Sequence, residues 1–268
     1  MTVGIEYPYA TDMFVDRSRV FINALDEVPT GQLSIVIHGT GSPVNADGSI
    51  VSAINVAKFF ATDPNEASTH FIVGTDGTVV QCVSLHDGAG GNCCVEAAYD
   101  SYWQSFVTKY KNLNLCTISI EHCNNAANTA SPTLAQFNAS SRLVNWLCNK
   151  YLIPPYRIKT HASIAPQSRA HCPGNFPMTA LQNSVANYQY QSALDSWNSF
   201  RTDCVFTSGI AQAWRDRLYS QEFMGPPITK EYKSVDWAGN EIVVQEFAHA
   251  RCEWIAGKAT FRGPTGVI

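Results

Sequence analysis

Residues 33–41 read LSIVIHGTG, and the first six form a near-continuous apolar run between Gly31 and Gly39. That is the pattern of a strand buried on both faces. Ser49 precedes VSAINVAKFFA, residues 51–61, where Val51, Ile54, Ala57 and Phe60 recur at helical spacing. The core therefore opens with a strand and then a helix. THFIVG and TVVQCVS flank Asp76-Gly77, a hairpin signal because glycine accepts positive φ. The glycine-rich LHDGAGGNCC, residues 85–94, reads as a loop. TISIEHC, residues 117–123, alternates as a strand does, with Ile118, Ile120 and His122 on one face and Thr117, Ser119, Glu121 and Cys123 on the other. Thr133 and Gln136 have capping-box spacing, predicting a helix that buries Leu134, Phe137, Val144, Leu147 and Tyr151 and stops before Pro154-Pro155. RIKTHAS, residues 157–163, predicts another short strand, and residues 178–197 a last helix. The order β-α-β-β-β-α-β-α predicts an α/β fold, a mixed central sheet flanked by helices.

At 268 residues the chain is long enough for one large domain, or for a typical catalytic domain of ~150 residues plus a smaller appendage. Residues 1–30 read as an acidic N-terminal arm lying on the first domain, 31–190 as the catalytic domain, and 191–204 as a linker. Residues 205–268 read as a small β-rich domain of short aromatic strands such as EIVVQEF and ARCEW. Residues 1–30 carry five acidic and two basic side chains, 31–190 eight of each, and the whole chain is at -4. No basic stripe exists to neutralise phosphates, which excludes nucleic acid as a partner held in that way. The opening MTVGIEYPYATDMFVD has neither a basic n-region nor an apolar h-region, and no run reaches the ~18 apolar residues of a membrane span. The expectation is a chain without a secretion signal or membrane insertion, made in a reducing cytosol. There, cysteines act as metal ligands, buried apolar residues or nucleophiles more often than as disulfides.

Histidine and cysteine placement carries the chemistry. His38 ends the first strand beside Gly-Thr-Gly, at the carboxyl end of a sheet strand where sites are built. His161 ends the KTH strand, and Cys172 follows in a Cys-Pro-Gly turn. Two imidazoles and a thiolate would form the three-ligand set of a catalytic zinc with one open position. The alternative for each residue alone is a satisfied core or surface side chain.

Four segments, SIVIHGTG, STHFIVGTDGTVVQ, TISIEHCN and THASIAPQSRAHCPGNFP, resemble in that order the zinc-dependent N-acetylmuramoyl-L-alanine amidases, relatives of phage amidases and peptidoglycan recognition proteins. The resemblance covers roughly residues 31–185. It implies Zn2+ held by His38, His161 and Cys172 in a surface groove that accepts peptidoglycan (murein). It also implies an enzyme that acts on the cell wall; with no secretion signal read in the sequence, the expectation is that it is cytoplasmic until release. Glu121 matches the position where one branch of the family keeps a catalytic Glu, and is the candidate base that moves a proton from water to the leaving amine. Where another branch uses Tyr, this chain has Thr69.

The chain also departs from the family. A Lys often found two residues before the third ligand is Ala170 here, which leaves Arg169 or His171 to stabilise the oxyanion; His171 is favoured slightly, and an alternative has His171 binding the metal. The Trp-His-Ala-Gly usual after the hairpin is replaced by Gly88, Ala89, Gly90 and Gly91, so a substrate contact is absent or supplied differently. His86, Cys93 and Cys94 are candidates for a second metal but lack the C-x₂-C form; Cys93-Cys94 reads rather as small apolar packing or as a pair that oxidises after release from the cell. His122 and Cys123 read as a sheet-packing pair or groove lining, and His70 as core or as support for the ligands. Cys82, Cys116 and Cys148 read as core. Cys204 and Cys252 are candidates to pair.

MGPPITKEY and VVQEFAHARCEW resemble short modules appended to wall hydrolases, which implies wall targeting. The combined reading is a phage endolysin or bacterial wall lytic enzyme, bacteriolytic by hydrolysis of the amide between N-acetylmuramic acid and L-alanine. The alternatives are a non-catalytic peptidoglycan-binding module, a cytoplasmic muropeptide-recycling amidase, and a cysteine-nucleophile hydrolase.

Overall fold

A computed structural model of the chain describes residues 5–92, 95–188, 210, 231–236, 238–246, 251–255, 257–263 and 266–267. The chain divides into two compact units, Met1–Gln182 and Asn183–Ile268.

The first unit is built on a six-stranded mixed sheet. Its strands are β1 (Ala10–Asp12), β2 (Ser34–Gly39), β3 (Phe71–Val73), β4 (Val79–Gln81), β5 (Thr117–His122) and β6 (Ile158–Thr160), in the order β1-β4-β3-β5-β2-β6. Only the β3–β4 hairpin is antiparallel; β2 runs parallel to both β5 and β6. The helices are α1 (Ala53–Thr62), α2 (Gln104–Tyr110) and α3 (Leu134–Tyr151); residues 178–188 form a further helix, within which the boundary between the two units falls. The apolar run at 33–38 is β2, and Ile35, Val36 and Ile37 have no exposed surface. The hairpin turns at Gly77 with φ 87°, the positive value its position demanded.

Register decides where chemistry can sit. His38 pairs with Glu121, and Glu121 also pairs with Ile72, so these three project from the same face of the sheet. Ile72 packs with Val80, Cys82 and Cys123 against Ala53, Val56 and Ala57 of α1. The opposite face meets α3, where His122 Nε2 bonds to Ser140 Oγ at 2.8 Å.

Several local expectations are corrected. The α1 cap is Ser52, whose hydroxyl accepts from Asn55 N, while Ser49 instead bonds to Asp47. Thr133 caps α3 by accepting from Gln136 N, but the Gln136 side chain does not close a capping box. Its Nε2 donates to the carbonyls of Val73 and Cys123, binding the helix to the ends of two strands. Leu134 is 75% exposed, because the buried stripe of α3 runs through Ala139, Leu143, Val144 and Leu147. The strand β1 and the helix α2 are additions to the predicted order.

The arm belongs to the first unit. β1 pairs with β4, Glu6 accepts from Ser84 Oγ and Leu85 N, and Arg17 forms a two-pronged ion pair with Asp87. His70 is buried beneath this region, with Nδ1 accepting from Ser119 N and Nε2 donating to Asp87 O. Burial holds it neutral, its pKa lowered to about 4. A histidine that protonates more readily unfolded than folded contributes stability above about pH 6.5 and loses it as pH falls toward 4. Between pH 6.5 and 5 the loss amounts to about 1.5 kcal/mol. In urea unfolding at the two pH values, the change in stability of His70→Gln should differ from that of the wild type by about this amount, in the direction of a smaller loss on acidification.

In the second unit, β7 (Tyr232–Val235), β8 (Glu241–Glu246), β9 (Arg251–Ile255), β10 (Lys258–Gly263) and β11 (Gly266–Val267) form an antiparallel sheet ordered β11-β10-β9-β8-β7. Ile242, Val244 and Cys252 are buried in it. Cys204, Cys93 and Cys94 lie outside the described residues, and with them the pairing and second-metal expectations that involve them. Among the described residues no helix is long and apolar enough to cross a membrane.

Candidate metal centre and groove

His38, His161 and Cys172 come together at the carboxyl ends of β2 and β6, as the strand ends and the Cys-Pro-Gly turn require. Their donor atoms all lie within 4.8 Å of one another, and all three residues are buried. Cys172 Sγ is 3.9 Å from His38 Nδ1 and receives the Gly39 N–H at 3.4 Å. The two imidazole rings meet edge to face with centroids 4.4 Å apart. Metal–ligand bonds of ~2.0–2.3 Å place tetrahedral donors roughly 3.3–3.6 Å apart, so a zinc ion fits this set with small side-chain adjustments. Two imidazoles and a thiol brought together form a donor set that suits zinc.

Glu121 sits against this set. Its Oε1 is 3.9 Å from His38 Nδ1, its side chain is 14% exposed, and its Oε2 is buried with no hydrogen-bond partner among the described residues. Burial pushes its carboxyl up to about 8, opposed by the Arg169 charge. An orphaned carboxylate oxygen beside two imidazoles and a thiol is costly unless a cation or proton joins it. Burial also pushes the Cys172 thiol up to about 12, with the Glu121 carboxylate adding to the rise. That thiol is a poor nucleophile near neutrality, which counts against the cysteine-nucleophile alternative.

An open groove of about 520 Å³ lies over the cluster. Phe59 and Phe60 of α1, Gly90, Gly91, and residues 167–171 line it. Arg169 and His171 are both exposed there, and His171 is not one of the three clustered donors. The segment is anchored by Glu96, whose carboxylate accepts from Gln167 N at 2.6 Å and Ser168 N at 2.8 Å. Arg169 is the one whose charge reaches inward, lowering both Glu121 and Cys172. Thr69 is buried and bonded to Ser119, away from the groove lining. His122 is committed to the His38 carbonyl and Ser140, and His86 to Asp26 at 2.8 Å. Cys82, Cys116, Cys123 and Cys148 are buried.

The sequence did not single out two asparagines. Asn128 holds the loop after β2 by accepting from Gly41 N at 3.1 Å, and its backbone packs on Gly174, where a Cβ would collide with the Asn128 carbonyl. Asn92 bonds to His38 from the glycine loop. Neither lies in a periodic segment; Asn92 follows Gly88-Ala89-Gly90-Gly91, while nothing beside Asn128 in the sequence marks it.

Fold and site together define an α/β domain with a candidate metal-binding set at the carboxyl ends of parallel strands, open to a groove. Residues 32–175, more than half the chain, match the family described as N-acetylmuramoyl-L-alanine amidase, and the chain belongs to that family. Membership places it among the peptidoglycan amidases. Similar solved structures include PlyL, at 18% identity over 66% of this chain and 96% of that one, TM-score 0.46. A selenomethionine AmpD derivative is 20% identical over 66% and 95%, TM-score 0.47. The endolysin amidase LysCS from Clostridium intestinale is 18% identical over 68% and 98%, TM-score 0.40. No curated protein matches the chain.

Proposed function

We propose that the protein hydrolyses the amide between the lactyl group of N-acetylmuramic acid and L-alanine, with zinc held by His38, His161 and Cys172. The observation that carries this reading is the convergence of the three donors with the unpartnered Glu121 oxygen beneath an open groove. When bound, a zinc ion polarises an amide carbonyl and makes water acidic enough to attack it near neutral pH. Glu121 faces the same space and is the base that takes the proton from that water and passes it to the leaving amine. Arg169 stabilises charge developing on the carbonyl oxygen, in preference to His171, because its charge is already felt at Glu121 and Cys172. The groove walls hold the glycan and stem peptide, with Phe59 and Phe60 offering apolar faces.

Residues 31–190 act as the catalytic domain, 1–30 as its arm, 191–204 as linker and 205–268 as a cell-wall-binding unit. The appended five-stranded sheet favours a lytic enzyme, a phage endolysin or bacterial wall hydrolase, over a recycling amidase. The Cys172 ligand favours an enzyme over a binding-only module.

Purified murein should be cleared by the protein, with clearing abolished by a chelator and restored by zinc. Mass spectrometry of the digest should find free stem peptides with L-alanine at the amino end and intact glycan. Full activity in the metal-free protein, or cleavage within the glycan or the peptide, would rule the proposal out.

A further inference from the structure

We infer that Asn92 is the positioning residue that decides which ring nitrogen of His38 faces the donor cluster. His38 Nε2 lies 2.6 Å from Asn92 Oδ1, Asn92 Nδ2 donates to Thr117 Oγ1 at 2.7 Å, and Thr117 Oγ1 donates to the Leu113 carbonyl at 2.6 Å. The carbonyl at the end of this chain can only accept, so the Thr117 hydroxyl spends its hydrogen there and accepts from the Asn92 amide. The Asn92 oxygen then faces His38, whose Nε2 must carry the proton. Nδ1 is left with its lone pair pointing toward Cys172 Sγ and Glu121 Oε1, each 3.9 Å away. Asn92 is fully buried, so water does not substitute for it.

The loop that delivers Asn92 is itself clamped. Asn92 N donates to Asn114 Oδ1 at 2.6 Å, and a Cβ at Gly91 would lie 2.7 Å from Ser119 Oγ. A Cβ at Gly88 would collide with the Asn114 carbonyl. The glycines at 88 and 91 thus serve close packing of this loop on the sheet. From outside, Phe21 pairs with Gly88, and Arg17 and Asn23 bond to Asp87. Residues 17–23 precede the family match, which begins at residue 32. The arm therefore acts as a clasp on the loop that orients a ligand histidine.

The inference rests on the proposed metal site, but its first readout needs no metal. In ¹⁵N-labelled, metal-free full-length protein, the ring-nitrogen shifts of His38 should report the Nε2–H form in wild type and in Asn92→Asp. They should move toward the Nδ1–H form in Asn92→Leu and in Thr117→Val, which frees the amide to turn. Zinc affinity by competition with a chromophoric chelator should fall roughly 10–100-fold in Asn92→Leu and recover in Asn92→Asp. An unchanged tautomer in Thr117→Val, or wild-type tautomer and zinc affinity in Asn92→Leu, overturns the assignment; the Thr117 variant decides it if the leucine variant does not fold. A wild-type chain that takes up no zinc overturns the metal reading instead, while the tautomer still decides Asn92.

Discussion

Glu121→Gln should keep its zinc and lose turnover by roughly 10²–10⁴-fold, the range for removal of a positioned general base. The substitution is nearly isosteric, and Glu121 pairs in register with His38 between two buried strands, so the backbone that carries the ligands stays in place. What goes is the group that accepts the proton. Metal content by elemental analysis should match wild type, and the loss should fall on kcat rather than KM, because glutamine fills the same volume in the groove. In the metal-free protein the substitution also changes how stability depends on pH. Glu121 buries an oxygen without a partner and its carboxyl is raised to about 8, so it is more stable protonated when folded. Stability therefore declines as pH rises from the unfolded carboxyl value of 4.5 toward 8, and glutamine removes that decline. Turnover that survives the substitution would place the base elsewhere in the groove.

Cys172→Ser should weaken zinc binding on the order of 10³-fold, since a thiolate is the ligand that selects zinc over harder cations in this set. The change deletes no volume of note, and the turn is fixed by backbone bonds from Cys172 N to Arg169 O and from Ala162 N to Cys172 O, at 2.9 and 3.1 Å. Activity on murein should fall in parallel with metal occupancy and be regained in part at high zinc. Alkylation distinguishes a ligand from a nucleophile. With zinc saturating, Cys172 should resist a thiol reagent while the wall is still cleaved, whereas a nucleophilic cysteine would be modified with loss of activity. Cys82, Cys116 and Cys148, whose thiols burial pushes up to about 12 or beyond, should react in neither state.

The strongest periodic signals translated directly into structure. The apolar run at 33–38 is a central strand because nothing polar interrupts burial on either face, and Asp76-Gly77 turns a hairpin because glycine supplies the positive φ. Thr117, Ser119 and Glu121 share a face as their spacing implied, and that face meets the glycine loop and His38. The additions to the predicted order had weaker local signals. β1 is three residues, mostly exposed, and is held by backbone pairing with β4 and by Glu6 on a distant loop, contacts of long sequence separation that no local pattern announces. Gln136 has capping-box spacing but spends its amide on two strand carbonyls, which only the tertiary arrangement explains. Within the site, residue type and family spacing named His38, His161, Cys172 and Glu121, which the fold brings close together. Asn92 stayed hidden because its role depends on hydrogen-bond direction through Thr117.

In the proposed mechanism His38, His161 and Cys172 together hold one zinc ion. Zinc-edge X-ray absorption on the full-length protein loaded at one ion per chain tests it most directly. One sulfur at ~2.3 Å and two imidazole nitrogens at ~2.0–2.1 Å, with the sulfur lost in Cys172→Ser, is the predicted first shell. A shell without sulfur, or one unchanged by that substitution, would contradict it.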